Sequence, residues 1–193
     1  MPDYGLTLGL YITILSITIG KNISQARNHK VIFLACISLF MEVFPINITL
    51  RPATPDDFEF VFRLNETNMR FYVEKMRGWN EEIERKDMKG KFHPGHDQII
   101  LVNGERGGIF GVEERPNSYF LQHIELLPQF QGKGIGSKLI CRLISKARKR
   151  NVPVSLTVLK QNPAIRLYKR LGFSVTGETE IKYEMTVWPN PAP

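Results

Sequence analysis

The stretch YFLQHIELLPQFQGKGIGSKLICRLISKARKR, residues 119–150, decides how this chain is read. Tyr119–Leu127 is rich in aromatic and aliphatic residues and is stopped by Pro128, which predicts a strand. From Ser137 to Arg150 the period changes. Leu139, Ile140, Leu143, Ile144 and Ala147 share one face of a helix, while Lys138, Arg142, Lys146 and Lys149 lie elsewhere. Between strand and helix stands Gln131-Gly132-Lys133-Gly134-Ile135-Gly136-Ser137. Such a turn can present successive backbone N–H groups to an anion, and the positive end of the helix adds to the attraction. Glycine reaches backbone angles closed to other residues and leaves room for a phosphate to approach. Lys133 and Lys138 bring charge nearby. The plainer alternative is a tight strand-to-helix turn with no ligand.

Two other phosphate loops are excluded. A P-loop needs Gly-x-x-x-x-Gly-Lys-Ser/Thr, and no such string occurs. The dinucleotide fingerprint counted from Gly132 fails because Ser137 stands where its third glycine belongs.

Working outward, Ile46–Arg51 alternates as a strand. Thr54-Pro55-Asp56-Asp57 reads as a helix start, with Thr54 as cap and Asp57 in the capping-box place. Phe58, Val61, Phe62 and Asn65 follow at helical spacing, a second helix is predicted over Thr67–Met76, and a third after Asn80. Further strands are predicted at Gln98–Val102, Gly108–Glu114, Pro153–Leu159, Phe173–Thr176 and Ile181–Trp188. Asn103-Gly104 supplies a hairpin turn, and Asn162-Pro163 opens a short helix ending at Gly172. Residues 47–188 thus read as one mixed α/β domain, with 189–193 as a tail.

The first 46 residues form a hydrophobic extension. Tyr4–Gly20 is uncharged but short of the ~20 apolar residues of a comfortable span, and Val31–Phe44 is shorter. A secretory signal fits poorly, because no positive side chain precedes Tyr4. Three readings stand: a two-helix hairpin, one anchor at residues 4–20 with the rest cytosolic, or translation beginning at Met41. The third is favoured, which places the protein in the cytoplasm, with the anchored form as alternative.

Composition narrows the rest. Apolar residues make up 42% and charged residues 23%, which argues against wholesale disorder. Cys36 and Cys141 offer neither a disulfide framework nor metal spacing, and His93 and His96 flank a Pro-Gly loop, so no metal site is expected. The net charge of +7 asks for an anionic partner. Much of that charge lies between Lys133 and Arg150, and no helix-turn-helix or aromatic RNA motif accompanies it, so nucleic acid is not expected.

The glycine-rich turn follows Leu126-Leu127-Pro128-Gln129-Phe130, and Asn162-Pro163-Ala164, Leu167-Tyr168 and Leu171-Gly172-Phe173 come later. On these two ordered signatures the chain resembles the GNAT superfamily of acyl-CoA N-acetyltransferases, over about residues 47–188. The resemblance implies an α/β (mixed α+β) fold, a mostly antiparallel central sheet flanked by helices. It implies transfer of an acetyl group from acetyl-CoA to a primary amine by direct attack in a ternary complex. A catalytically silent acyl-CoA-binding or sensor domain is the alternative. The acceptor is a small-molecule or peptide amine, and a homodimer is left open.

The same resemblance assigns residues. Gln131, Gly132, Lys133, Gly134, Ile135, Gly136 and Ser137 hold the pyrophosphate. Leu126 and Leu127 offer backbone groups to the pantetheine arm, in a gap where their strand splays from Val154–Leu159. Asn162 bonds the cofactor or caps its helix. Tyr168 is the catalytic acid candidate, since a phenol can donate to the departing thiolate; packing through its ring is the competing role. Glu125 interrupts an apolar strand and is the base candidate, with Glu113, Glu114 and His123 as rivals. Phe71, Tyr72 and Trp79 line the acceptor side or the core. The ribosomal-protein N-terminal acetyltransferases carry Glu five residues before the motif Asn, where this chain has Thr157, so that chemistry is not expected.

Overall fold

Apolar and polar residues alternate in β1 (Ile48–Pro52), the first strand of a computed structural model that describes residues 46–189. The expectations placed on the extension, including the anchor, Met41 and Cys36, lie outside the described residues. After β1 the chain turns through Pro55–Asp57. The Asp57 carboxylate accepts the Thr54 N–H at 2.9 Å and grips Arg51 through two bonds of 2.7 Å. The Arg51 guanidinium, more than any other group, holds the Asp57 carboxyl down at about 2.

One helix, α1 (Phe58–Arg77), follows where two were predicted. The Thr67 hydroxyl donates back to the Arg63 carbonyl at 2.8 Å, so it is used inside the helix instead of capping a new one. Glu66 accepts from Arg63 at 2.7 Å and from Arg70 at 2.9 Å across the expected break. Helix α2 (Glu81–Lys91) starts as predicted, with Asn80 Oδ1 accepting the Ile83 N–H at 3.0 Å.

The hairpin β2 (Asp97–Val102) and β3 (Glu105–Arg115) closes on Asn103 and Gly104, whose φ angles of 53° and 89° give the mirror-image turn. Then come β4 (Ser118–Leu126), α3 (Ile135–Lys149), β5 (Val154–Leu159), α4 (Ile165–Arg170), β6 (Ser174–Glu178) and β7 (Lys182–Val187). They form a seven-stranded sheet in the order β1-β2-β3-β4-β5-β7-β6. All its described pairings are antiparallel except β4 with β5. Helices α1 and α2 cover one face through Val61, Phe62, Leu64 and Met88 against Ile99 and Ile109. The other face receives α3, whose Ile135, Leu139, Ile140, Leu143, Ile144 and Ala147 are buried as the sequence spacing requires.

The parallel seam is short. Strand β4 pairs with β5 only at Tyr119–Val154, Phe120–Ser155 and Leu121–Leu156. At the next residue the register of β4 against β3 slips, because Val112 faces Leu121 whereas Gly111 faces His123. Gln122 is therefore an extra residue, and a bulge of this kind bends its strand and adds twist. Beyond it β4 keeps to β3 while β5 keeps to β7 through six consecutive pairs. A gap opens between the two strands, as expected for this pair.

Candidate active site

The gap leads to the glycine-rich turn. Gly132 and Gly134 have φ of 71° and 77°, in the left-handed region that side chains disfavour. Helix α3 begins immediately after Gly134, and its first internal bond runs from Lys138 N–H to the Gly134 carbonyl at 3.0 Å. Among the described residues no acceptor takes the amides of Gly132, Lys133, Gly134, Ile135, Gly136 or Ser137. Consecutive free donors at the positive end of a 15-residue helix make an anion cradle. A methyl group placed on Gly136 would stand 3.6 Å from Ile124 Cδ1 and 3.8 Å from Leu167 Cδ2. The turn, the open part of β4 and the start of α4 thus meet at one point.

Two expected residues behave differently from one another. Leu127 donates its N–H to Gly107 at 2.8 Å and its carbonyl accepts from Phe130 at 2.9 Å, so its backbone is committed within the protein. By strand alternation, Leu126 then directs its N–H and C=O toward the edge that β5 leaves open. The Leu126 carbonyl accepts from the Gln131 side chain at 2.9 Å and from the Asn68 side chain at 3.2 Å. Of the two residues expected to meet the pantetheine arm, Leu126 is the one whose N–H faces the open edge. Gln131 uses its side chain to tie the turn to β4 and α1, and only its neighbours supply free amides.

Glu125 points to the α1 face of the sheet. Its Oε1 accepts from Asn65 at 2.8 Å and its Oε2 from Asn68 at 3.3 Å. Burial pushes the carboxyl above its ordinary value of 4.5, outweighing the two amides and the charges of His123 and Lys91 that pull it down. Glu113 is half-buried and Glu114 exposed on β3, and they are held below the ordinary value by Arg115 and Lys146 respectively. His123 is buried with Nε2 at 3.2 Å from the Lys91 carbonyl. Of the four base candidates, Glu125 has the environment that raises a carboxyl toward neutrality.

Tyr168 lies on α4, 7% exposed, with its ring edge-on to Phe173 at 5.8 Å. Both expected roles therefore have a physical basis: the ring packs, and among the described residues no hydrogen bond engages the hydroxyl. Burial first, and the Glu125 charge second, push the phenol up to about 12. Asn162 Oδ1 accepts the Ala164 N–H at 2.9 Å, a turn just ahead of α4, whose cap position is Ala164 itself.

Other expectations separate. Trp79 packs on Phe62 with ring centroids 6.5 Å apart, a core role. Phe71 is exposed and stands edge-on to Tyr72. His93 and His96 are exposed, as is Cys141. Among the described residues no helix is long and apolar enough to cross a membrane. A concavity of about 260 Å³ lies on the α3 face between Leu50, Phe110, Val112, Arg142 and Lys146, away from Glu125. Sequence reasoning missed Asn65 and Asn68 as functional residues. Their signal was two amides three positions apart on a half-buried helix face, where partners for their hydrogen bonds are expected.

The chain is similar to known proteins in sequence and in fold. The acetyltransferase (GNAT) domain family matches residues 67–189. The chain is 28% identical over 152 residues to spermidine N(1)-acetyltransferase of Escherichia coli (strain K12), covering 68% of this chain and 75% of the relative. It is 31% identical over 160 residues to an uncharacterized N-acetyltransferase of Methanocaldococcus jannaschii, covering 73% and 68%. The fold is similar to that of the PaiA N-acetyltransferase of Thermoplasma acidophilum, solved in complex with coenzyme A. The TM-score is 0.60 at 16% identity, over 74% of this chain and 99% of that one. With a sheet split at β4 and β5, a free-amide turn at the split and a family match over most of the folded residues, the chain belongs to the GNAT acetyltransferase family.

Proposed function

We propose that this protein transfers the acetyl group of acetyl-CoA to a primary amine, by direct attack while both substrates are bound. The observation that carries this reading is the row of six free amides at the start of α3, beside the open part of β4 and the start of the helix that carries Tyr168. Gly132 to Ser137 would hold the pyrophosphate, and Lys133 and Lys138 add positive charge. The Leu126 N–H would receive the acyl arm along the open edge of β4. Coenzyme A bound to the PaiA relative supports this donor class.

In the reaction, Glu125 takes a proton from the acceptor ammonium, directly or through water, which frees the nitrogen lone pair. The nitrogen attacks the thioester carbonyl, the new C–N bond forms, and the C–S bond breaks. Tyr168, protonated at neutral pH with a phenol at about 12, gives its proton to the departing thiolate, and the second proton shed by the acylated nitrogen returns through water to restore the phenol. Asn65 and Asn68 hold the base carboxylate, and Asn162 fixes the turn that leads into the helix carrying Tyr168.

Calorimetric titration of acetyl-CoA, followed by a thiol-release screen of polyamines, amino acids and peptides, tests this reading. Saturable binding near one equivalent and release of thiol with one amine class are expected. Tyr168→Phe should then lower kcat on the order of 10²-fold and leave acetyl-CoA affinity within about twofold. Binding without turnover on any amine would favour the silent acyl-CoA-binding domain, and no binding by the folded protein would remove acetyl-CoA from the reading.

A further inference from the structure

Three side chains and one carbonyl make a continuous polar link from the glycine-rich turn to Glu125. Gln131 Nε2 donates to Asn68 Oδ1 at 2.9 Å and to the Leu126 carbonyl at 2.9 Å. Asn68 Nδ2 donates to the same carbonyl at 3.2 Å and to Glu125 Oε2 at 3.3 Å. Asn65 Nδ2 meets the other carboxylate oxygen at 2.8 Å.

A primary amide has one acceptor end and one donor end, so Asn68 can serve these partners in one orientation only. Receiving Gln131 on its oxygen directs its NH2 toward Glu125 and Leu126. Turning it over would set one NH2 against another and an oxygen against a carboxylate. Each end of Asn68 therefore dictates what the other end does. Gln131 is exposed and immediately precedes Gly132, the first of the free amides. His123, Lys91 and Tyr168 also act on or beside Glu125, but among the described residues no hydrogen bond joins them to the turn.

We propose that Asn68 is a positioning residue that couples the glycine-rich turn to Glu125, so that an anion bound on the turn sets the carboxylate for the incoming amine. The proposal rests on the reading of the turn as the donor site and of Glu125 as the base. Anchoring the turn fixes Gln131, Gln131 fixes the Asn68 amide, and Asn68 fixes one oxygen of the carboxylate. Asn65 then holds the second oxygen, so the carboxylate is presented in one rotamer. The base is ordered when the donor arrives, before any acceptor is present.

The test uses the full chain with 13C-labelled glutamate carboxyls and 15N-labelled amides. The probe is 3′-phosphoadenosine 5′-diphosphate, which carries the pyrophosphate and none of the pantetheine, so it cannot reach Glu125 itself. Glu125→Gln assigns the carboxyl resonance. Saturating probe is expected to shift the amides of residues 132–137 together with the Glu125 carboxyl and the Asn65 side-chain NH2. In Asn68→Ala, and in Gln131→Ala at an exposed position that does not threaten folding, the turn amides should still respond. The Glu125 and Asn65 responses should shrink about fivefold or more. A Glu125 resonance that ignores the probe in the unmodified protein, or that responds equally in Gln131→Ala, overturns the coupling. No response at the turn overturns the donor-site reading and the coupling with it.

Discussion

Burial acts on Glu125 and Tyr168 in the same direction, but the chemical meaning is opposite for each. A carboxyl pushed above 4.5 becomes a better proton acceptor near neutrality, and a phenol pushed up to about 12 keeps its proton until a strong base appears beside it. On the proposed mechanism Glu125 works only when ionised. The acid limb of kcat/KM must then lie above the ordinary carboxyl range, with activity rising as pH climbs through the raised value. Glu125→Gln should lower kcat/KM on the order of 10²-fold or more and abolish that limb. The measurement is a pH–rate profile with the amine found in the screen, and an unchanged limb in Glu125→Gln would transfer the base role elsewhere. Stability carries the reverse sign. The folded carboxyl holds its proton more tightly than the unfolded one, so this group's contribution falls as pH rises above 4.5 and is lost once the folded pKa is passed.

At the scale of elements, two glycines make contrasting predictions. A methyl group on Gly108 of β3 would stand 2.1 Å from the Glu125 carbonyl, a backbone atom with nowhere to go. Gly108→Ala should therefore part β3 from β4 and lower Tm by several degrees, at a cost of about 1–3 kcal/mol or more. Gly136 in the first turn of α3 has its nearest neighbours at 3.6 and 3.8 Å, an ordinary contact. Gly136→Ala should leave Tm within about 2 °C, because the helix gains what the turn does not need. Thermal melts of both variants decide it, and a large loss in Gly136→Ala would mean that the turn depends on that glycine for its own fold. The strand, turn and helix of residues 119–150 were legible because their hydrophobic period switches where the glycines stand. The Gln122 bulge was not legible, since one extra residue shows only against the partner strand. The continuity of α1 was hidden for a related reason. The sequence reads as starting a new helix at Thr67, and only the helix itself shows the Thr67 hydroxyl back-bonded to Arg63. Asn68 was invisible as a positioning residue because its partners, Glu125 and Gln131, are 57 and 63 positions away.

The sheet of the described residues is two halves that share three parallel residue pairs. One half, β1 to β4, carries Glu125 and the turn that opens α3; the other, β5, β7 and β6, carries α4 and Tyr168 through its connections. No local pattern specifies how far such halves stand apart, so the splay was expected only through family resemblance. The division also states what a bound donor must do to stability. A molecule gripping the turn and lying along the open edge of β4 bridges the two halves and binds the folded state alone. At 100 times its Kd, acetyl-CoA should stabilise the fold by about 2.7 kcal/mol. For a protein of this size that raises Tm by roughly 5–10 °C, with a further gain of about 1.4 kcal/mol for each tenfold increase in concentration. At equal saturation ratios any ligand confined to the folded state gives the same increment, so the discriminating comparison is at equal concentration. There, 3′-phosphoadenosine 5′-diphosphate, which meets the turn but leaves the gap unfilled, should shift Tm less than acetyl-CoA does. Equal shifts from the two would mean that the gap between β4 and β5 contributes nothing to donor binding, and that the turn alone does the holding.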